Sequence, residues 1–210
     1  MTMKHIVLPK GQSLAWYLDE EIRQAQDVQE DKFFCWWVKP TVIYGRHQDV
    51  NAEVNLDYCR AHDIKVVQRK SGGGCVYADE GNLMISLISP DTHSEAVFER
   101  YLRLVADVLR SLGLDAVTTE HNDILVGNRK VSGTACYALP NATIVHGTLL
   151  YDVNLEALEQ AITPGAAKLQ KHAVQSVRQR VMNIRPLLPD IHGIEELEQV
   201  FVNRWQNSRI

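Results

Sequence analysis

Two segments of the 210-residue chain combine residue types that can hold an anion. The first is Gln68–Tyr77 (QRKSGGGCVY), in which three successive glycines follow two basic side chains. Glycines pack nothing, so such a run suits a backbone that takes unusual angles or closely approaches a ligand. Exposed amides beside Arg69 and Lys70 would suit a phosphate, although glycine clusters also mark solvated turns. The segment matches neither a Walker loop nor a dinucleotide-binding fingerprint.

The second segment is His121–Cys136 (HNDILVGNRKVSGTAC), with Lys130 inside a strand-like pattern. The apolar residues that accompany the lysine are Ile124, Val126, Val131 and Ala135. A lysine on such a strand beside Gly133 can point into a pocket and meet an anion. A lone lysine near a hairpin turn is more often simply exposed. Taken alone, this pattern leaves both interpretations open.

The elements that would position these segments follow from hydrophobic periodicity. Helices are predicted at 13–25, 94–112, 155–162 and 194–205, and strands at 33–38, 41–44, 64–69, 83–89, 116–119, 123–126, 129–137 and 144–151. Gly127-Asn128 predicts a hairpin turn between two of the strands. Because strands and helices do not alternate regularly, a doubly wound fold is disfavoured. The order predicts an α+β fold with mixed or antiparallel sheets packed against helices.

Composition restricts the class of protein further. Hydrophobic residues make up 45% and charged residues 23% of the chain, as in an ordinary globular domain. The net charge of −4 argues against a protein dominated by nucleic-acid binding. The four cysteines lack paired spacing, which argues against a disulfide framework or a zinc site. Since neither a signal peptide nor an apolar membrane span is apparent, we expect a cytoplasmic protein without nucleic-acid or membrane partners.

Six motifs together closely resemble the lipoate–protein ligase family, in family order over about residues 13–185. They are Tyr44–Gln48 (YGRHQ), Arg69–Gly74 (RKSGGG), Asp79–Asn82 (DEGN), Asn122-Asp123, Arg129–Gly133 (RKVSG) and His146–Leu150 (HGTLL). The resemblance implies the fold of the biotin and lipoate protein ligase catalytic domain. We therefore expect a single catalytic domain over 1–210, without the C-terminal accessory domain of many bacterial ligases.

The resemblance also implies a two-step reaction. Lipoate and ATP would give lipoyl-AMP and pyrophosphate, and the lipoyl group would then pass to a lysine of a lipoyl domain. The expected partners are lipoyl domains of 2-oxoacid dehydrogenase complexes or the glycine cleavage H protein. A separate accessory subunit is a further candidate partner, and ATP and Mg²⁺ are the expected cofactors.

The residues that match the family's site follow from the same resemblance. Lys130 would be catalytic, contacting both the phosphate and the lipoyl carbonyl oxygen. The positions expected to bind ATP or lipoyl-AMP are Arg69, Gly72, Gly73, Gly74, Cys75, Val76, Tyr77, Asn82, Asp123, Lys130, Gly147, Thr148 and Lys168. Those expected to bind lipoate are Arg69, Gly74, Lys130 and His146. Asp123 would hold Mg²⁺ or orient Lys130, and the strands at 33–44 and a long loop before Arg69 would line an apolar tunnel for the tail.

Several alternatives stay open. His146 can be a general base, although a histidine in a sheet is more often a structural hydrogen-bonding residue. Related acyltransferases work without ATP, and some hold the acyl group on a cysteine shortly before the lysine strand, where this chain has Thr119-Glu-His-Asn. A transferase that takes preformed lipoyl-AMP, and a module that only binds lipoate or an adenylate, are further hypotheses. The basic tract 168–185, with no acidic residue, could close over the adenylate or steer an acidic partner.

Overall fold

The computed structural model describes residues 3–119, 122–162 and 180–207. Two sheets make up the framework of this part of the chain. The strands in chain order are β1 (Lys4–His5), β2 (Lys32–Trp36), β3 (Thr41–Tyr44), β4 (Lys65–Gln68), β5 (Val76–Ala78), β6 (Asn82–Ser89), β7 (Ala116–Thr118), β8 (Asp123–Val126), β9 (Arg129–Leu139) and β10 (Ala142–Leu150).

The large sheet has seven strands in the order β1-β2-β6-β10-β9-β8-β7, and the small sheet has three in the order β4-β3-β5. Strands β6 and β10 lie at the centre of the large sheet, and all of their residues are buried. Pairing is antiparallel except between β1 and β2 and between β3 and β4. The predicted α+β fold with mixed and antiparallel sheets is therefore confirmed.

The helices of the described residues are α1 (Leu14–Ala25), α2 (Val50–Glu53), α3 (Leu56–Ala61), α4 (Ser94–Ser111), α5 (Leu155–Ala161) and α6 (Ile194–Asn207), with a 3-10 turn at Arg185–Leu187. Helix α1 packs on one face of the large sheet, and α4 and α6 pack on the other. Ser13 caps α1 as its position predicts, because its side chain accepts a hydrogen bond from the amide of Trp16. None of the helices in the described ranges is long and apolar enough to cross a bilayer.

Three apolar clusters hold these layers together. On one face of the large sheet, α1 packs Tyr17 against Trp36 with the rings stacked at 4.6 Å. On the other face, α4 and α6 enclose Trp205, which contacts Phe33 and Tyr101 edge-on. The third cluster joins the small sheet to α3 and α5. Helix α1 and the small sheet thus lie where a pocket can form beside β9 and β10.

The hairpin between β8 and β9 determines where Lys130 lies. Gly127 and Asn128 both have positive φ angles, of 54° and 64°, as a two-residue turn of the primed type requires. The register then shifts between Ile124 and Leu125. As a result, Asp123 pairs with Gly133, whereas Lys130 pairs with Leu125.

The segment between β3 and β4 differs from the expected long loop, since it contains α2 and α3. These helices have four and six residues, too few to produce a readable apolar stripe. The other predicted elements are present, with ends displaced by one to a few residues. None of the four cysteines, all of which lie within the described ranges, forms a disulfide.

Candidate active site

A pocket lies between β9 and β10, helix α1 and the glycine-rich segment. Its lining falls into an apolar group and a polar, glycine-rich group. The apolar residues are Leu14, Leu18, Trp36, Ile43, Val76, Met84 and Ala135. The others are Arg69, Gly73, Gly74, Cys75, Asn122, Lys130, Gly133, Thr134, His146, Gly147 and Thr148. One pocket can therefore receive a ligand that has both an apolar and an anionic part.

Lys130 is placed by its partner strand and by a glycine. Its Nζ lies 2.7 Å from Oδ1 of Asp123, and both side chains are about one-third exposed. A Cβ atom at position 133 would lie 3.0 Å from Cε and Nζ of Lys130. The lysine therefore lies over the open face of Gly133 and meets the aspartate that pairs with that glycine. The amine is held in the pocket, yet it remains accessible to an anion.

Arg69 is buried and directs its guanidinium into the loop that follows it. Residues 69–75 are called the glycine loop from here on. Nε and Nη2 of Arg69 donate to the Gly72 carbonyl at 3.1 and 2.8 Å, and Nη2 also donates to the Gly74 carbonyl at 2.6 Å. Nη1 donates to the carbonyl of Ile43 on β3 at 3.2 Å. Burial lowers the pKa of the guanidinium, which nevertheless stays charged at neutral pH.

These bonds determine which way the loop amides point. In a trans peptide, the C=O of one residue and the N–H of the next point in opposite directions. Because the carbonyls of Gly72 and Gly74 face Arg69, the N–H groups of Gly73 and Cys75 point away from the guanidinium. Gly73, Gly74 and Cys75 line the pocket. The geometry thus supplies backbone donors of the kind that bind phosphate.

Gly45, which directly follows β3 in the Tyr44–Gln48 motif, lets the glycine loop pack closely against the end of this strand. A Cβ atom at position 45 would lie 2.2 Å from the Gly73 carbonyl oxygen, far inside van der Waals contact. Gly73 itself has a φ of +93°, which favours glycine. The amide of Arg46 adds a hydrogen bond to the Ser71 carbonyl at 3.1 Å. The loop is consequently fitted against the end of β3.

His146 is buried between two hydrogen-bonding partners. Its Nδ1 lies 3.0 Å from both carboxylate oxygens of Glu21, and its Nε2 lies 3.0 Å from Oγ of Ser71. The Ser86 hydroxyl donates to Glu21 at 2.6 Å, and the Trp36 indole donates to Ser86 at 2.9 Å. This arrangement agrees with a structural hydrogen-bonding histidine at the pocket wall.

The structure brings together most of the residues that the sequence singled out. Those in the pocket lining are Arg69, Gly73, Gly74, Cys75, Val76, Lys130, His146, Gly147 and Thr148, and Asp123 joins them through Lys130. Gly72 touches the site only through its bond to Arg69. Lys168, Lys171 and Arg178 of the basic tract lie outside the described residues. The ligand contacts of all these residues stay predictions.

Tyr77 and Asn82 lie away from the pocket lining. Tyr77 is 3% exposed and packs in the cluster of the small sheet. Asn82 is 1% exposed, and its Nδ2 is 3.5 Å from the Tyr77 carbonyl oxygen. Nearby, Asp79 accepts hydrogen bonds from the amides of Gly81 and Asn154, both at 2.9 Å, and burial raises the pKa of this carboxyl. The DEGN motif therefore builds a turn that joins β5, β6 and α5.

The apolar part of the pocket, where we expect the tail of the ligand, is lined by α1 as well as by β2 and β3. Trp36 and Ile43 lie on the predicted strands, but the expected loop before Arg69 contributes no lining residue from 46–68 among those described. Leu14 and Leu18 of α1 take that place.

Sequence reasoning also missed Glu21 and gave Ser71 no role. A signal for Glu21 was available, because it is spaced four residues from Tyr17 and seven from Leu14, on the apolar face of α1. A charged residue on such a face is normally paired.

The mixed sheets and this pocket define a class: an α+β domain with a partly apolar pocket beside a lysine and a glycine-rich loop. The family model of the lipoyl protein ligase A/B catalytic domain matches residues 12–206. The chain belongs to this family. It is 38% identical over 175 residues to lipoate–protein ligase 1 of Staphylococcus aureus, covering 82% of this chain and 53% of that relative. The chain spans about half the length of the curated relatives it matches.

Solved structures agree with this assignment. A crystal structure of a lipoate–protein ligase A bound with ATP superposes with a TM-score of 0.83 at 27% identity, covering 97% of this chain and 84% of that one. A bi-partite lipoate–protein ligase from Thermoplasma acidophilum, studied with its E2 lipoyl domain, gives 0.83 at 27% identity over 97% and 82% of the two chains. Biotin protein ligase from Leishmania major, at 14% identity and a TM-score of 0.54 over 98% and 74%, shares the fold.

Proposed function

We propose that this chain activates lipoate with ATP to form lipoyl-AMP and transfers the lipoyl group to a lysine of a lipoyl domain. The observation that carries the proposal is one pocket that joins Lys130, the glycine-loop amides and an apolar compartment. Family membership and the names of the related ligases support the same reaction. The cytoplasm is the compartment where we expect this ATP-dependent reaction.

The first step needs positive charge more than covalent help from the protein. A lipoate carboxylate oxygen attacks the α-phosphorus of ATP, and the bond to the β-phosphate oxygen breaks to release pyrophosphate. Negative charge accumulates on the α-phosphate oxygens as this happens. Lys130 Nζ and the amides of the glycine loop would stabilise that charge because they are already oriented before reaction.

The second step uses the same cation. The acceptor lysine amine attacks the carbonyl carbon of lipoyl-AMP, AMP leaves with the bridging oxygen, and the amine loses a proton to solvent. Lys130 would stabilise the negative charge that develops on the carbonyl oxygen. Asp123, 2.7 Å from Nζ, would hold the amine between its two targets.

Mg²⁺ enters this scheme with ATP. Mg²⁺ prefers oxygen ligands and is commonly bound by one or two carboxylates together with substrate phosphates. Asp123 fits as one such carboxylate at the pocket. The ATP phosphates and water would supply the remaining ligands.

A second candidate function is transfer alone, from preformed lipoyl-AMP, with activation dependent on a separate polypeptide. The similarity to the bi-partite ligase of Thermoplasma acidophilum favours testing it. For both candidates the acceptors would be lipoyl domains of 2-oxoacid dehydrogenase complexes or the glycine cleavage H protein.

The discriminating experiment is lipoate-dependent exchange of labelled pyrophosphate into ATP by the purified chain with Mg²⁺. A complete ligase gives exchange without any acceptor. A transfer-only enzyme gives no exchange but lipoylates an acceptor domain from added lipoyl-AMP. Failure of both assays would rule out the proposed function.

A further inference from the structure

A buried chain of hydrogen bonds connects the rigid side of the pocket to the glycine loop. It runs from Trp36 on β2 through Ser86 on β6 to Glu21 on α1. From Glu21 it continues through His146 on β10 to Ser71. Four of these five residues lie on packed helices or strands, whereas Ser71 lies in the loop. The last bond therefore fastens the loop to the framework.

The donor and acceptor of each of these hydrogen bonds can be assigned from the chemistry of the side chains. An ionised Glu21 side chain only accepts hydrogen bonds, and it faces both the Ser86 hydroxyl and His146 Nδ1. His146 Nδ1 must then carry a hydrogen. In the neutral imidazole, Nε2 is left to accept the hydroxyl hydrogen of Ser71. Glu21 thus selects the tautomer that holds Ser71.

All five hydrogen-bonded residues are shielded from solvent. Glu21 is 3% exposed and Ser71 is 2% exposed, and the remaining three members are also buried. Buried hydrogen bonds to a charged group are stronger than exposed ones, and breaking one leaves partners that water cannot satisfy. The glycines at 72–74 have no side chains with which to fix the loop, so Ser71 and Arg69 supply its side-chain anchors.

We infer that Glu21 is a positioning residue which, through His146 and Ser71, holds the glycine loop in the conformation that receives the phosphates of ATP. This inference rests on the proposed function. It gives the loop two independent supports, the guanidinium of Arg69 on the carbonyls and the Glu21–His146–Ser71 relay at its start. Trp36 and His146 also line the pocket, so the same hydrogen bonds connect the pocket wall with the glycine loop.

The same three residue types form nucleophilic triads in hydrolases. Two observations favour a positioning role. Ser71 is almost fully buried, and its side chain is absent from the pocket lining, so an acyl carbonyl does not reach its Oγ. By contrast, the Ser71 main chain is engaged by Arg46 as part of the loop.

The test uses two disrupting variants, Glu21→Leu and Ser71→Ala, and one conservative variant, Glu21→Gln. Glu20→Leu is the matched control, because Glu20 is equally buried on α1 but bonds only to Arg23 and Gln24 of its own helix. Thermal unfolding first confirms that each variant is folded. Two readouts follow: NMR order parameters of the Gly72–Gly74 amides, and KM for ATP and for lipoate in pyrophosphate exchange.

We expect Glu21→Leu and Ser71→Ala to lower the loop order parameters from about 0.85 towards 0.6 or below, the range of a flexible backbone. KM for ATP should rise about tenfold in each, as expected for a lost buried hydrogen bond to the loop. The double variant should be no worse than the more affected single variant, because both changes break one relay. Glu21→Gln keeps an acceptor for Nδ1–H, so its order parameters and KM for ATP should lie near those of the wild type. Glu20→Leu should also match the wild type in both readouts.

Unchanged loop order parameters in a folded Glu21→Leu protein would overturn the inference. So would an effect confined to KM for lipoate, or effects of Glu21→Leu and Ser71→Ala that multiply in the double variant. Absence of pyrophosphate exchange in the wild type would count against the activation step alone, because the order parameters still test the relay.

Discussion

At the scale of single residues, the chemistry depends on where one lysine is held. The sequence predicts Lys130 from its motif, and its neighbours give the prediction a physical form. The amine lies against Asp123 and over a glycine that leaves room for it. The ligand contact of Arg69 stays a prediction, and the structure adds a role that the sequence did not indicate: four hydrogen bonds join its guanidinium to the main chain of the loop and β3.

Gly133→Ala tests the placement of Lys130 without removing it. The added Cβ would lie 3.0 Å from Cε and Nζ, so the flexible end of the lysine should move while the strand stays intact. We expect pyrophosphate exchange to fall about tenfold or more, since small misplacements of catalytic groups are costly. The unfolding free energy should change by less than about 1 kcal/mol. A variant with wild-type exchange would show that Lys130 need not lie there.

At the scale of elements, hydrophobic periodicity predicted the long helices α1 and α4 well, because their apolar stripes extend over 12 and 18 residues. It could not predict α2 and α3, which are too short. Nor could it predict the register shift in β8, which sets Asp123 opposite Gly133 and depends on pairing between strands rather than on local sequence.

Gly45→Ala and Gly72→Ala form a matched pair that tests how the glycine loop fits against the residue that follows β3. A Cβ at position 45 would meet the Gly73 carbonyl at 2.2 Å, whereas a Cβ at position 72 would have no atom within 4 Å. We expect Gly45→Ala to lose about 1–3 kcal/mol of unfolding free energy, as overpacking does. Gly72→Ala should stay within about 1 kcal/mol of the wild type. Denaturant unfolding measures both, and equal stability of the two variants would contradict the described loop.

At the scale of the whole molecule, the fold brings distant segments of the chain into one site. Glu21, Ser71, Lys130 and His146 lie far apart in sequence and meet because α1, the loop, β9 and β10 surround one pocket. The motifs predicted that the loop, β9 and β10 belong to one site, but they did not predict that α1 contributes to it. They could not predict the relay, because hydrogen bonds between segments more than 70 residues apart leave no periodic signal.

Charge distribution leads to a prediction about partner binding. The tract 168–185 contains five basic residues and no acidic one, so an acidic lipoyl domain would be attracted to it. Electrostatic attraction would then speed encounter with the acceptor but not adenylate formation. Raising ionic strength from about 0.01 M to about 0.15 M should therefore lower kcat/KM for the acceptor domain, since the screening length falls from about 30 to about 8 Å. Pyrophosphate exchange should change much less, and an equal response of both rates would contradict steering.

The most direct test of the central proposal compares wild type and Lys130→Ala in lipoylation of an acceptor lipoyl domain, measured by intact-protein mass spectrometry. Each protein is supplied either with ATP, Mg²⁺ and lipoate or with preformed lipoyl-AMP, and circular dichroism verifies that the variant is folded. We predict that the folded variant loses at least about hundredfold in rate from both donors, because the same amine would stabilise both transition states. Near-normal lipoylation by Lys130→Ala would contradict the mechanism proposed for this pocket.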